Sequence, residues 1–142
     1  MNYLVDTDVL SELRKRDKGR THPGVVAWIE SVPDESLYLS VLTLGEIRRG
    51  VERLRRRDPV QAEVLGRWLG TVQRDYRDRI VPVTGEVAEE WGRLNTPEPL
   101  PVVDGLLAAT ARVHRWTLVT RNTADVVRTG VLLLNPFEAT RG

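Results

Sequence analysis

A chain of 142 residues is the size of one domain and can bury roughly 68–70% of the surface its unfolded form exposes. It contains no cysteine, which excludes disulfide staples, thiolate-bound zinc and cysteine nucleophiles but leaves oxygen ligands available. The formal charge of +1 excludes a polybasic nucleic-acid binder. The opening Met1-Asn2-Tyr3-Leu4-Val5 has neither the charged start nor the apolar length of a signal peptide or membrane span, so the expectation is a cytoplasmic protein with no membrane partner.

The first predicted element is a short buried strand, Tyr3-Leu4-Val5, that runs straight into Asp6, Thr7 and Asp8. In open α/β sheets ligands collect at the carboxyl ends of strands, so Asp6 stands where chemistry is expected. Thr7 can cap a helix over 8–13, with Leu10 and Leu13 three apart. Residues 14–24 are charged, contain glycine and are broken by Pro23, which reads as a loop. Val25, Val26, Trp28 and Ile29 suit a short helix, and 37–41 reads as a second strand.

A long helix is predicted from Thr43, with Leu44, Ile47, Val51 and Leu54 on one face and Glu46 beside that stripe. Gly50 lies one turn further on the Glu46 side, where it allows close approach by another group at a helix-propensity cost of about 1 kcal/mol. Asp58 and Pro59 stop this helix and cap the next, whose apolar face is Val64, Leu65, Trp68, Leu69, Val72 and Tyr76. The two form an antiparallel helical hairpin over 43–76. Arginine is concentrated there, in Arg48, Arg49, Arg53, Arg55, Arg56 and Arg57, while lysine occurs only as Lys15 and Lys18. Such a run is either a solvated helix face or a surface for phosphate or a partner, since guanidinium grips phosphate bidentately.

Residues 80–83 read as a strand, and Pro82 makes it an edge because it cannot donate to a ladder. A helix over 86–94 around Val87 and Trp91 follows, then a stiff extended connector over 96–101, rich in proline. Residues 103–111 form a helix apolar on nearly every side, with Asp104 in its first turn. Thr117-Leu118-Val119-Thr120 is a third buried strand, the stretch from Arg121 through Asn122 to Asp125 is a polar turn, and 131–134 closes the sheet. Strands alternating with helices imply parallel pairing with right-handed crossovers.

Asp6, Glu46, Asp104 and Asp125 each occupy a position from which a side chain can reach one crevice. Two carboxylates about 4 Å apart repel by about 4 kcal/mol at an effective dielectric near 20. Convergence therefore demands either protonation of some acids or a divalent cation, and all-oxygen ligation points to Mg²⁺ or Mn²⁺. The chemistry natural to such a centre is metal-assisted phosphodiester hydrolysis. Each acid also has a plain role open to it: Asp6 as a helix cap, Asp104 as first-turn charge, Glu46 as a surface pair with Arg49, Asp125 as a turn residue. His22 and His114 are expected to be structural, Trp68 and Trp91 to be core or interface, and no Gly-x-Ser-x-Gly supports a serine triad.

Four stretches together, Leu4-Val5-Asp6-Thr7-Asp8-Val9-Leu10-Ser11-Glu12-Leu13, Leu44-Gly45-Glu46-Ile47 with Gly50, Asp104-Gly105-Leu106-Leu107-Ala108-Ala109-Thr110-Ala111, and Leu118-Val119-Thr120-Arg121-Asn122 with Asp125, resemble the four blocks of PIN-domain ribonucleases. In particular they are similar to VapC-type toxins of bacterial toxin–antitoxin pairs, over residues 2 to about 136. The resemblance implies an α/β fold, a PIN-like three-layer sandwich with a central parallel sheet of about five strands flanked by helices, as a single domain over 1–142. It implies that Asp6, Glu46 and Asp104 are metal ligands, that Asp125 is a fourth acid acting through water, and that Thr7 and Thr120 hydrogen-bond within the cluster. Asn122 stands where some relatives carry another carboxylate.

The family also implies Mg²⁺-dependent RNA cleavage, with Mn²⁺ as a substitute, and a homodimer. It further implies a small antitoxin whose tail fills the groove near the 43–76 hairpin, and operator DNA reached only through that antitoxin. Two positions depart from the pattern. Asp8 replaces an expected asparagine, serine or threonine and acts either as a second helix cap or as extra negative charge near the metal. Gly105 replaces alanine or serine, either loosening the first turn or allowing close packing. Two other functions fit parts of the chain. Asp6-Thr7-Asp8 after a strand also resembles the nucleophile motif of haloacid-dehalogenase-like phosphatases, and the arginine-rich helix suits a nucleic-acid-binding regulator that does not cut.

Overall fold

The computed structural model describes residues 1–15 and 19–138; Lys18 and the last four residues lie outside the described residues. Five parallel strands make one sheet: β1 (Tyr3–Val5), β2 (Leu37–Ser40), β3 (Ile80–Val81), β4 (Thr117–Val119) and β5 (Leu133–Leu134), in the order β3-β2-β1-β4-β5. Successive strands step outward from β1 on one side, and the chain then returns to β1's other side with β4. The order thus reverses between β1 and β4, and a crevice opens beyond their carboxyl ends.

Alternation along the strands builds a core on each face. Tyr3, Val5, Leu37, Leu39 and Val119 join Val9, Leu10, Val25, Trp28, Ile29, Ile47, Leu69 and Val72 on one side. Leu4 and Leu118 join Leu107, Ala108, Ala111, Val126 and Val131 on the other. The first side is covered by α1 (Thr7–Leu13), α2 (Pro23–Ser31), α3 (Val41–Arg55) and α4 (Pro59–Asp75). The second is covered by α6 (Val102–His114) and α7 (Thr123–Val126), with α5 (Gly85–Leu94) against α6. The result is the expected three-layer α/β sandwich. Among the described residues no helix is long and apolar enough to cross a membrane.

Local chemistry sets the boundaries. The first helix starts at Thr7 rather than Asp8, because the cap is Asp6, whose carboxylate accepts from the Thr7 amide. Helix α3 begins at Val41, two residues before the expected Thr43. Ser40 ends β2 and its hydroxyl accepts from the Leu42 amide at 3.0 Å, so strand passes directly into helix. Asp58 caps α4 through the Gln61 amide at 3.1 Å, with Pro59 in the first turn, as the sequence indicated. The edge strand β3 holds only Ile80 and Val81; the chain leaves the sheet at Pro82.

Three expectations are corrected. The connector over 96–101 is not extended: it bends back so that Asn95 Oδ1 accepts from the Leu100 amide at 2.9 Å, and Arg128 donates to the carbonyls of Leu94 and Glu98. Residues 121–125 are not all turn, because Asp125 lies in the first turn of α7. Gly50 is not required by a close approach, since a Cβ there would meet Leu65 Cδ2 at an ordinary 3.9 Å. Gly105 does serve close packing: a Cβ there would stand 3.3 Å from Leu100 Cβ and from the Trp91 ring, which lets α5 lie tightly against the start of α6.

The residues expected to be structural are so placed. His22 Nδ1 accepts from the Gly24 amide at 3.0 Å and caps α2, while His114 stacks on Trp116 at 4.2 Å between ring centroids. Trp91 packs against Gly105, and Arg14 lies over the Trp68 ring.

Candidate active site

The crevice beyond β1 and β4 is built around Asp6, which is only 7% exposed. Its amide donates to the Val119 carbonyl at 2.9 Å, extending the β1–β4 ladder by one residue and fixing where the side chain starts. Both carboxylate oxygens then have partners. Oδ1 accepts from the Thr7 amide at 2.6 Å, and Oδ2 accepts from Thr120 Oγ1 at 2.7 Å. Thr120 Oγ1 in turn accepts from the Asn122 amide at 3.0 Å, so the turn after β4 orients the hydroxyl that orients Asp6. Buried hydrogen bonds to a charged group contribute about 1.5–3 kcal/mol each, which is the scale on which Asp6 is held.

Glu46 comes from the second turn of α3, and it is not paired with Arg49. Thr7 Oγ1 donates to Glu46 Oε1 at 2.5 Å, joining α1 to α3 across 39 positions of sequence. Thr7 therefore touches two acids, Asp6 through its amide and Glu46 through its hydroxyl. Asp104 is delivered by the first turn of α6 from the opposite face of the sheet. Burial, then the fields of Asp6, Asp125 and Glu46 in that order, push its carboxyl up from 3.8 to about 6. A field strong enough to shift a proton equilibrium needs proximity, so these three acids face Asp104. Asp125, on α7, is the exposed member of the group.

Asp6 and Asp104 keep the local roles their positions offer. Asp6 caps α1 while its charge acts on Asp104, and Asp104 carries first-turn charge while facing three other acids. Asp8 lies in the first turn of α1, one position past the helix start, and Asp6 is the cap. Asp8 Oδ1 accepts from the Val9 amide at 2.8 Å, and burial followed by repulsion from Asp6 pushes its carboxyl from 3.8 to about 6, against the pull of the Val9 amide and of Arg121's amide and guanidinium. Asn122 is exposed, its amide serving Thr120, and its side chain makes no capping bond to α7.

Arg121 is the residue that reading the sequence missed. It stands two residues past the end of β4, lies over the Phe137 ring at 3.9 Å, and places a positive charge toward Asp8 at the rim of the acidic site. Its position directly after Thr120, in the polar turn that follows β4, was the available signal.

A divalent cation fits this donor set by chemistry. The ligating atoms on offer are hard oxygens, several carboxylates share one field, and neutralising them is what a doubly charged ion does. Among the described residues no three acids stand at ligating spacing.

Comparison with known proteins agrees with this geometry. The family model "PIN domain" matches residues 3–130. The chain is 32% identical over 142 residues to Toxin FitB of Neisseria gonorrhoeae, covering 94% of this chain and 97% of that protein. It is 30% identical over 143 residues to VapC ribonuclease Y4jK of Sinorhizobium fredii, covering 95% and 97%. The crystal structure of FitAcB from Neisseria gonorrhoeae contains a chain that superposes with a TM-score of 0.85 at 30% identity, covering 96% of this chain and 99% of that one. By its sequence match from end to end and its shared fold, the chain belongs to the PIN-domain family, among the VapC-type toxins.

Proposed function

We propose that this protein is a Mg²⁺-dependent endoribonuclease that cleaves RNA phosphodiester bonds as the toxin of a toxin–antitoxin pair. The observation that carries the reading is the convergence of acids from separate elements: Thr7 bonds both Asp6 and Glu46, Thr120 bonds Asp6, and burial with Asp6, Asp125 and Glu46 raises the Asp104 carboxyl to about 6. Four acids from four separate elements that share one field are costly unless something positive joins them. Asp6, Glu46 and Asp104 would hold the ion, directly or through its waters, since among the described residues no three acids stand at ligating spacing without it, with Asp125 reaching it through water and Mn²⁺ able to replace Mg²⁺. When bound there, such an ion would make a coordinated water more acidic and would stabilise the charge that develops on the phosphate and the leaving oxygen. The chain's own work is orientation: Thr120 holds Asp6 and Thr7 holds Glu46, so that neither carboxylate turns away.

Membership of the PIN family sets aside the haloacid-dehalogenase reading, whose later lysine is also missing from the sequence. The partner proposed is a small antitoxin. Away from the acids, toward the amino ends of the strands, α1, α2 and α4 enclose a hollow of about 190 Å³ lined by Leu10, Ile29 and Trp68 together with Arg14, Asp34 and Asp75, which suits an amphipathic segment of such a chain. A relative's complex, FitAB, has been solved bound to a DNA fragment. For this protein we expect DNA contact to come through the antitoxin, with the toxin itself a homodimer.

The test is digestion of RNA by the purified protein with Mg²⁺, with EDTA, and with Asp6→Asn and Asp104→Asn variants. Cleavage confined to the wild type with Mg²⁺ supports the reading. Intact RNA in every lane, together with salt-sensitive binding, favours the non-cutting regulator.

A further inference from the structure

Helix α3 carries Glu46 into the acidic site and then continues away from it with a split surface. At about 100° per residue, Arg49, Gly50 and Arg53 follow Glu46 on one flank, at i+3, i+4 and i+7. Arg48, Glu52 and Arg55 lie on the other exposed flank. On that second flank the charges are matched: Glu52 takes Arg48 at 3.5 Å and Arg55 at 3.3 Å. On the Glu46 flank they are not. Arg49 and Arg53 are exposed, and no acid among the described residues pairs with either. At about 1.5 Å rise per residue they stand about 4.5 and 10.5 Å along the axis from Glu46.

We propose that Arg49 and Arg53 are a phosphate track: they bind the backbone of the RNA strand next to the bond held at the acids, and so position the substrate. This rests on the ribonuclease reading of the acidic site. A polyanion entering a crevice lined by carboxylates is repelled there until a metal is bound, so net attraction has to come from cations beside the crevice. Arginine suits the task because its planar fork matches phosphate bidentately and keeps its charge at any working pH. Arg56 and Arg57 continue the positive surface past the end of α3. Their placement does not distinguish the two flanks, so the test uses the four residues that do.

The experiment compares Arg49→Ala/Arg53→Ala with Arg48→Ala/Arg55→Ala, which removes the same amount of positive charge from the same helix. Binding of a short unstructured oligouridylate is read by fluorescence anisotropy in EDTA between about 50 and 200 mM salt. Each lost phosphate contact lowers the slope of log affinity against log salt by about 0.7, so the first pair should flatten it by about 1.4. The second pair should leave it within error. Arg49→Lys/Arg53→Lys should keep the wild-type slope, because lysine retains the charge. With Mg²⁺ and a cleavable RNA, the first pair should raise KM about tenfold with kcat nearly unchanged, the signature of lost uniform binding.

Equal flattening by both alanine pairs would reduce the effect to net charge and overturn the track. An unchanged slope and KM, with loss only of binding to the antitoxin, would overturn it in favour of a protein-contact surface. The two readings fail separately. Wild-type protein that binds the oligouridylate through this flank but never cleaves RNA defeats the ribonuclease reading alone, whereas cleavage indifferent to Arg49 and Arg53 defeats the track alone.

Discussion

Replacing Asp104 by asparagine should stabilise the metal-free protein near pH 7.5 and have little effect near pH 3.5. Asp104 titrates at about 6 in the folded protein against 3.8 for the free group. The folded state thus holds this proton more tightly than the unfolded one. Its stabilising contribution is complete below about pH 4 and is lost as pH rises through 6, where the ionised carboxylate faces Asp6, Asp125 and Glu46. A shift of about two units corresponds to about 3 kcal/mol at 1.36 kcal/mol per unit. Asp104 is only partly buried, so solvent screening reduces this to about 1–2 kcal/mol. Asparagine keeps the shape and removes the charge.

Urea unfolding in EDTA, at fixed protein concentration, should therefore place Asp104→Asn about 1–2 kcal/mol above wild type at pH 7.5. The corresponding rise in Tm is about 3–8 °C. Asp8, also raised to about 6, gives both proteins a similar background pH dependence, so the difference between them isolates Asp104. Saturating Mg²⁺ should reverse the order, because an ion at about 100 times its Kd adds about 2.7 kcal/mol to the protein that binds it. An Asp104→Asn protein equal to or less stable than wild type at pH 7.5 in EDTA would refute the reasoning, since the four carboxylates would then not share a field.

Thr120→Val removes the hydroxyl that donates to Asp6 and accepts from the Asn122 amide; it should cost about 1–3 kcal/mol in urea unfolding and lower RNA cleavage more than tenfold. Thr7→Val frees Glu46 while leaving the Thr7 amide bond to Asp6 in place. Cleavage should fall about tenfold or more, and Thr7→Ser should restore most of it if the hydroxyl is what matters. Asp8→Asn should raise stability in EDTA at pH 7.5 by about 1 kcal/mol, by the same sign as Asp104, while cleavage stays within about threefold. Loss of cleavage in Asp8→Asn would move that residue from the rim of the site into it.

Asp6 was legible because a run of apolar residues ending in an acid is a local pattern, and the strand it predicts lies at the centre of the sheet. Glu46 and Asp104 were legible as acids at fixed places on periodic helices. Their coupling was not, because the bond from Thr7 to Glu46 and the field of Asp6 on Asp104 link residues far apart in the chain. Periodicity also failed where elements are short. Helix α7 has four residues, too few to show a repeat, so Asp125 read as turn. The bend after α5 is held by Asn95 and by Arg128 from a distant segment, which proline content alone does not reveal. Arg121 acquires its meaning only from Asp8 and Phe137, which the fold brings beside it.

The most direct test is anomalous diffraction from crystals of the protein soaked with Mn²⁺. The account predicts one or more peaks within about 2.1 Å of carboxylate oxygens of Asp6 and Asp104, lost in Asp6→Asn crystals. A fully occupied ion elsewhere, with these acids left bare, would contradict it.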